Sequence, residues 1–288
     1  MSESTSKPEM LYLDLLKKCL TRSIFDEDHY KPLDSVTFDT RRFHKRAFVW
    51  LYPWLNKLLA PYRLELVRKL HFDAQVREEG KDWPAQAETM VGLRRLDNLQ
   101  HCITEVLRHG VAGDLIETGV WRGGATILMR AVLKAYGDTN RIVWVADSFQ
   151  GLPKPDPQRY PKDAGDRHWE VRELAIPLEE VKANFARYGL LDDQVRFLAG
   201  WFRDTLPNAP IERLAVLRID GDMYESVTDA LDSLYSRLSV GGYVIVDDYA
   251  DPAVPGCKQA VDDFRSKHGI REEFRKIDWS GVFWQRLR

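Results

Sequence analysis

Apolar positions recur along this chain in two rhythms. Leu11, Leu13, Leu15, Leu16, Leu20 and Ile24 return near helical spacing and predict an amphipathic helix over residues 10–24. Residues 26–45 are polar and charged and predict an irregular connection. The stretch 48–70 is dense in aromatic and aliphatic residues, and Pro53 and Pro61 within it predict two or three short helical pieces rather than one long helix. From Gly92 the pattern becomes regular. Helical periodicity over 94–109, 125–136, 178–188, 227–238 and 257–268 alternates with short apolar runs at 115–117, 142–146, 195–198, 214–219 and 243–246. Gly241-Gly242 is read as a glycine stop for the helix before it. Two final strands, 273–277 and 282–286, with a turn at Trp279-Ser-Gly281, predict a hairpin that inserts one antiparallel strand. The expected fold class is α/β, a mostly parallel seven-stranded sheet with helices on both faces over residues 81–288. Residues 1–80 are expected to form a helical arm that serves as lid and oligomerisation segment.

Composition narrows the function classes. Hydrophobic residues make up 44% and charged residues 30% of the 288, with a formal net charge of -2, which suits a soluble globular protein and gives no electrostatic case for a nucleic-acid partner. Cys19, Cys102 and Cys257 are scattered and form no CxxC, so neither a disulfide framework nor a zinc site is indicated, and a cytoplasmic location is expected. Met1–Glu9 is polar with no apolar signal core, and no run approaches the roughly 18 to 20 apolar residues that span a bilayer. Between Arg41 and Lys69 eight basic residues face one acid, Glu65. A basic amphipathic stretch of this kind can lie on an anionic membrane surface or pack against a partner. Packing in a homo-oligomer is the reading adopted, with peripheral membrane contact through 42–72 as its rival.

Candidate chemistry gathers at strand ends. Asp220-Gly-Asp-Met-Tyr-Glu-Ser226 follows one apolar run and Asp247-Asp248 another, where ligands of open α/β sheets bind. Carboxylates brought together there would repel one another unless a cation sat among them, and a hard divalent ion such as Mg²⁺ suits oxygen ligands. The bland alternative is a capping box, Asp222-x-x-Glu225, at a helix start. Upstream, Glu117-x-Gly119-x-x-x-Gly123-Gly124 is a glycine-rich strand-to-helix turn whose spacing departs from the GxGxxG dinucleotide fingerprint. Glu117 would repel a pyrophosphate but could serve the ammonium of a methionine moiety. Asp147 ends the next strand, where a carboxylate can accept hydrogen bonds from ribose hydroxyls. Together these favour S-adenosylmethionine over NAD, and the antiparallel insertion suits a Rossmann-like class I methyltransferase sheet better than a dehydrogenase.

Several longer motifs carry a resemblance. Thr89-Met-Val-Gly92, Gly113-Asp-Leu-Ile-Glu-Thr-Gly-Val-Trp-Arg-Gly-Gly124, Asp147-Ser-Phe-Gln-Gly-Leu-Pro153, Gly200-Trp-Phe, Arg218-Ile-Asp-Gly-Asp-Met-Tyr-Glu-Ser226 and Val246-Asp-Asp-Tyr249 resemble the macrocin O-methyltransferase family. That resemblance implies Mg²⁺- and S-adenosylmethionine-dependent methylation of a sugar hydroxyl on a glycosylated small molecule or saccharide. It implies Asp220, Asp247 and Asp248 as metal ligands and Asp222 as general base. It also implies a cofactor pocket of Glu117, Gly119, Asp147 and Ser148, with Thr89 over the methionine end and Gly200-Trp201 near the adenine. Residues 42–72 are longer and more apolar than the resemblance leads one to expect. A catechol acceptor would keep the same chemistry, and a non-catalytic cofactor-binding module is the reading from a different class. His168, in the polar stretch 154–172, falls in a candidate lid over the acceptor.

Overall fold

The computed structural model describes residues 7–25, 27–32 and 43–288. Residues 1–6 and most of the connection 26–45 lie outside the described residues. The first helix, α1 (Pro8–Leu20), buries Leu13, Leu16, Lys17 and Leu20, an i, i+3, i+4, i+7 face. Leu11 and Leu15 fall off that face and are exposed, although the sequence reading had counted them with the apolar stripe.

A short antiparallel ribbon pairs β1 (His29–Pro32) with β2 (Val67–Leu70). Between them runs α2 (Phe43–Leu59), followed by a 3-10 turn at Ala60–Tyr62. This corrects the expected fragmentation into short helices. Pro53 removes a single intrahelical N–H and the 17-residue helix continues through it. Pro61 sits in the first positions of the 3-10 turn, where its missing N–H is not needed. Then follow α3 (Ala74–Glu78) and α4 (Leu93–Arg108).

The main sheet comprises β3 (Asp114–Thr118), β4 (Val143–Asp147), β5 (Val195–Ala199), β6 (Leu214–Ile219), β7 (Leu238–Val246), β8 (Arg275–Lys276) and β9 (Val282–Gln285). Its seven strands lie in the order β5-β4-β3-β6-β7-β9-β8. The first five run parallel and β9 is antiparallel to both neighbours. Helices α5 (Gly124–Ala135), α6 (Leu178–Arg187), α7 (Phe202–Thr205), α8 (Tyr224–Leu234) and α9 (Pro255–Lys267) complete the alternation. Strand residues divide by parity: Leu115, Val143, Val145 and Ile245 enter one core with α1, α4 and α5, while Ile116, Trp144, Ala146 and Val244 enter the other with α8 and α9. Both faces of the sheet are therefore apolar, which is why its strands read as continuous runs.

Gly241-Gly242 does not stop a helix. α8 ends at Leu234, a 3-10 turn follows, and both glycines lie inside β7, where the pairing with β6 shifts register between Leu214 and Val216. Gly241 takes φ +88°, the conformation that an irregularity of this kind requires.

Candidate active site

Ladder hydrogen bonds bring the candidate residues to one edge of the sheet. Gly119 N–H donates to Ala146 (2.9 Å), Asp220 N–H to Thr118 (2.9 Å), Asp247 N–H to Ile219 (3.0 Å) and Gly200 N–H to Asp147 (2.9 Å). Each bond is the last rung at the carboxyl end of a strand pair, so Gly200, Asp147, Gly119, Asp220 and Asp247 follow one another across the sheet. Gly119 has φ +89°, and a Cβ there would stand 1.7 Å from the Asp220 carbonyl oxygen, so only glycine lets the two loops approach. A Cβ at Gly124 would similarly meet the Glu88 carbonyl and the Thr89 Cβ, each at 2.6 Å, so its absence lets Thr89 sit against the start of α5.

The Asp147 carboxylate orders the glycine loop. It accepts from Val120 N–H (2.8 Å) and Phe149 N–H (2.7 Å). Ser148 spends its hydroxyl on the local turn, donating to the Gly151 carbonyl at 2.6 Å. A cavity of about 740 Å³ of empty space, open to solvent, is lined by Gly119, Asp147, Ser148, Trp201, Asp220 and Asp222. Met90, Trp121, Leu152, Pro153, Leu174 and Phe202 supply its apolar wall. Sequence reasoning assigned none of these residues to the site, although all but Leu174 fall inside the motifs that carry the resemblance. Thr89, Glu117, Gly200, Asp247 and Asp248 stand behind the wall rather than in it.

The largest surprise is arginine. Arg218, 1% exposed on β6, donates Nη1 to Glu117 and to Asp220 (2.8 Å) and Nη2 to Asp247. Arg95, on α4, donates Nη1 to the other Asp247 oxygen, Nε to Asp278 (2.7 Å) and Nη2 to the Ser280 hydroxyl (2.7 Å). Glu117 is therefore held by a guanidinium within the protein. Burial pushes its carboxyl up, to about 8, against the pull of Arg218, and its Oε2 has no partner.

Two guanidinium groups do not neutralise the cluster. Oxygens of Asp220, Asp247 and Asp248 lie within 4.8 Å of one another, the one such group among the described residues. Asp248 Oδ2 is buried without a partner. Burial, then Asp220, Asp222 and Asp247, push the Asp248 carboxyl well above the carboxylate range. Burial and Asp220 likewise push Asp222 up, to about 7. A buried orphan oxygen beside two more carboxylates is the donor set a hard divalent cation takes, so the residues fit such an ion.

The capping-box alternative for Asp222 fails. The N-cap of α8 is Met223, with no side-chain cap of its own. Asp163, from the stretch 154–172, reaches over instead and accepts Tyr224 N–H (2.7 Å) and Glu225 N–H (3.0 Å). Asp222 lies at the cavity wall in a left-handed conformation, φ +55°. In the same stretch, His168 Nδ1 is held by Asp166 (3.0 Å), and the charges of Asp222 and Asp251 also raise its pKa. Arg122 donates to the Ala85 and Ala87 carbonyls and His109 ends α4.

The family model Macrocin-O-methyltransferase (TylF) matches residues 9–286. The chain is 50% identical to 8-demethyl-8-(2,3-dimethoxy-alpha-L-rhamnosyl)-tetracenomycin-C 4'-O-methyltransferase of Streptomyces olivaceus over 96% of its own length and 92% of that protein. It is 47% identical to demethyldecarbamoylnovobiocin O-methyltransferase of Streptomyces niveus over 100% of its length and 97% of that protein. Among solved structures it is similar to the O-methyltransferase NovP, with a TM-score of 0.81, 45% identity, and 97% and 100% of the two chains covered.

Proposed function

Because the chain belongs to the macrocin O-methyltransferase family, we propose that it methylates a hydroxyl of a sugar on a glycosylated natural product. S-adenosylmethionine is the methyl donor and Mg²⁺ the metal in this reading. The observation that carries it is the cavity that joins Gly119 and Asp147 at one end to Asp220 and Asp222 at the other. Relatives matched along nearly their whole length act, by name, on a rhamnosyl tetracenomycin and a novobiocin precursor.

Gly119, Asp147, Ser148 and Trp201 line the cofactor cleft, with Asp147 accepting from the ribose hydroxyls, while Thr89, Glu117 and Gly200 support the cleft from behind. Asp220, Asp247 and Asp248 would hold the metal. When bound, S-adenosylmethionine supplies a methyl group on a strongly electrophilic sulfonium, and Mg²⁺ supplies positive charge that lowers the pKa of a nearby hydroxyl. A sugar hydroxyl is otherwise a poor nucleophile at neutral pH, so the protein's tasks are deprotonation and in-line placement. Asp222 would take the proton of the reacting hydroxyl.

Residues 1–80 serve as lid and oligomerisation segment of a cytoplasmic homo-oligomer. The support is exposed apolar surface on α2 and in the polypeptide after it, together with three unpaired cysteines. Among the described residues no helix is long and apolar enough to cross a membrane. The deciding experiment incubates the protein with S-adenosylmethionine, Mg²⁺ and demethyldecarbamoylnovobiocin or a rhamnosylated tetracenomycin. A sugar-localised methyl in the product spectrum supports the reading. Methylation of a catechol but of neither glycoside would replace it.

A further inference from the structure

Asp247 differs from its neighbours in the carboxylate cluster. Both of its oxygens are already engaged, Oδ1 by Arg218 and Oδ2 by Arg95, whereas Asp248 keeps a buried oxygen free. Charge alone gives no reason to place a guanidinium beside a divalent-cation site, since like charges repel. Arg95 is nevertheless 5% exposed, and three of its nitrogens are each aimed at a different acceptor. One acceptor, the Ser280 hydroxyl, in turn donates to the Asp247 carbonyl at 2.8 Å. Asp278 is itself fixed by Ser280 N–H (3.0 Å) and Gly281 N–H (2.8 Å). Asp247 is thus gripped at both its side chain and its backbone by a frame that runs from α4 to the β8–β9 turn.

We propose that Arg95 is a positioning residue for the metal: with Ser280 and Asp278 it fixes the rotamer of Asp247, so that the remaining lone pairs of its carboxylate face a cation shared with Asp220 and Asp248. The proposal rests on the reading that these carboxylates hold a divalent ion. A lysine at position 95 keeps the charge but has a single head group, which cannot span three acceptors in a fixed plane. Groups that orient metal ligands typically change metal affinity about 10–100-fold when altered.

The test uses Mn²⁺ as a spin probe, titrated by electron paramagnetic resonance into the full-length protein, with S-adenosylmethionine affinity measured in parallel by calorimetry. Arg95→Lys is expected to weaken Mn²⁺ binding by about 10–100-fold with S-adenosylmethionine affinity unchanged. Ser280→Ala is expected to shift it in the same direction by less, and carries the test should Arg95→Lys fold poorly. Mn²⁺ affinity unchanged in both variants overturns the proposal. So does tighter binding in Arg95→Gln with normal binding in Arg95→Lys, the pattern of a mere counter-charge. Asp248→Asn separates the two readings. If it abolishes Mn²⁺ binding while Arg95→Lys does not weaken it, only the role of Arg95 falls. If the unaltered protein binds no Mn²⁺, the metal reading falls with it.

Discussion

A left-handed backbone is uncommon outside glycine, and three non-glycine residues at this sheet edge adopt it: Trp121 (φ 48°), Phe149 (φ 57°) and Asp222 (φ 55°). Of these Asp222 is the one with a carboxylate at the cavity wall. Asparagine tolerates the same backbone, so Asp222→Asn changes the titratable oxygen and little else. Turnover is expected to fall by about 10²–10⁴, the usual contribution of a positioned base, with S-adenosylmethionine binding retained in calorimetry. Near-normal turnover across the pH range would move the base elsewhere. The acids were legible in the sequence because each ends an apolar run. Arg218 and Arg95 were not: Arg218 lies within such a run, and Arg95 shares an amphipathic helix with other polar residues. Glu117 was read as a ligand for the cofactor's ammonium because its partner Arg218 lies 101 residues away in sequence.

At the scale of elements, the stretch 154–172 is tied to α8 by the cap that Asp163 provides. Within the stretch, the Asp166–His168 pair fixes the local turn and carries a pH dependence. The pair raises His168 above its ordinary 6.5 and, with further hydrogen bonding, lowers Asp166 below 3.8. His168 therefore contributes fully below 6.5, and that contribution fades as pH rises through its raised value. The Asp166 share is present above 3.8 and is lost as pH falls through its lowered value. Asp222 and Asp251 act on His168 in the same direction as Asp166. Trypsin cleavage within 154–172, normalised to a His168→Gln variant, is expected to accelerate as pH rises through the His168 transition. A constant ratio would show that the pair does not hold the stretch. The regular elements from Gly92 onward were readable because both rhythms are strong there. The arm misled because Pro53 interrupts helical propensity more than it interrupts a 17-residue helix. Gly241-Gly242 misled because glycine marks a bulge as readily as a helix end.

For the whole molecule, the unbalanced negative charge behind the cavity predicts metal dependence. Activity is expected to vanish with a chelator and return with Mg²⁺, while S-adenosylmethionine binding survives, because Asp147 and Trp201 lie on the other side of Gly119. Full turnover in excess chelator would end the metal reading. Assembly is predicted from a different surface. Leu51, Trp54 and Leu58 recur at helical spacing on α2 and are 41%, 60% and 51% exposed, which leaves an apolar stripe without cover in the single chain. Light scattering is expected to show a homo-oligomer, and a monomer that floats with anionic vesicles would favour membrane contact instead. The layered architecture was legible from alternation alone. The partner of the stripe was not, since exposure belongs to three dimensions.

The grip on Asp247 also has a consequence for synthesis. Arg95 is synthesised well before the stretch that holds Asp278 and Ser280, 183 and 185 residues downstream. Until that stretch leaves the exit tunnel, β9 cannot insert beside β7 and the arginine frame is incomplete. A nascent chain can therefore assemble the parallel strands and a cofactor cleft while its carboxylate cluster is still unframed. Completion of the frame therefore waits on the β8–β9 turn rather than on the folding of the first core.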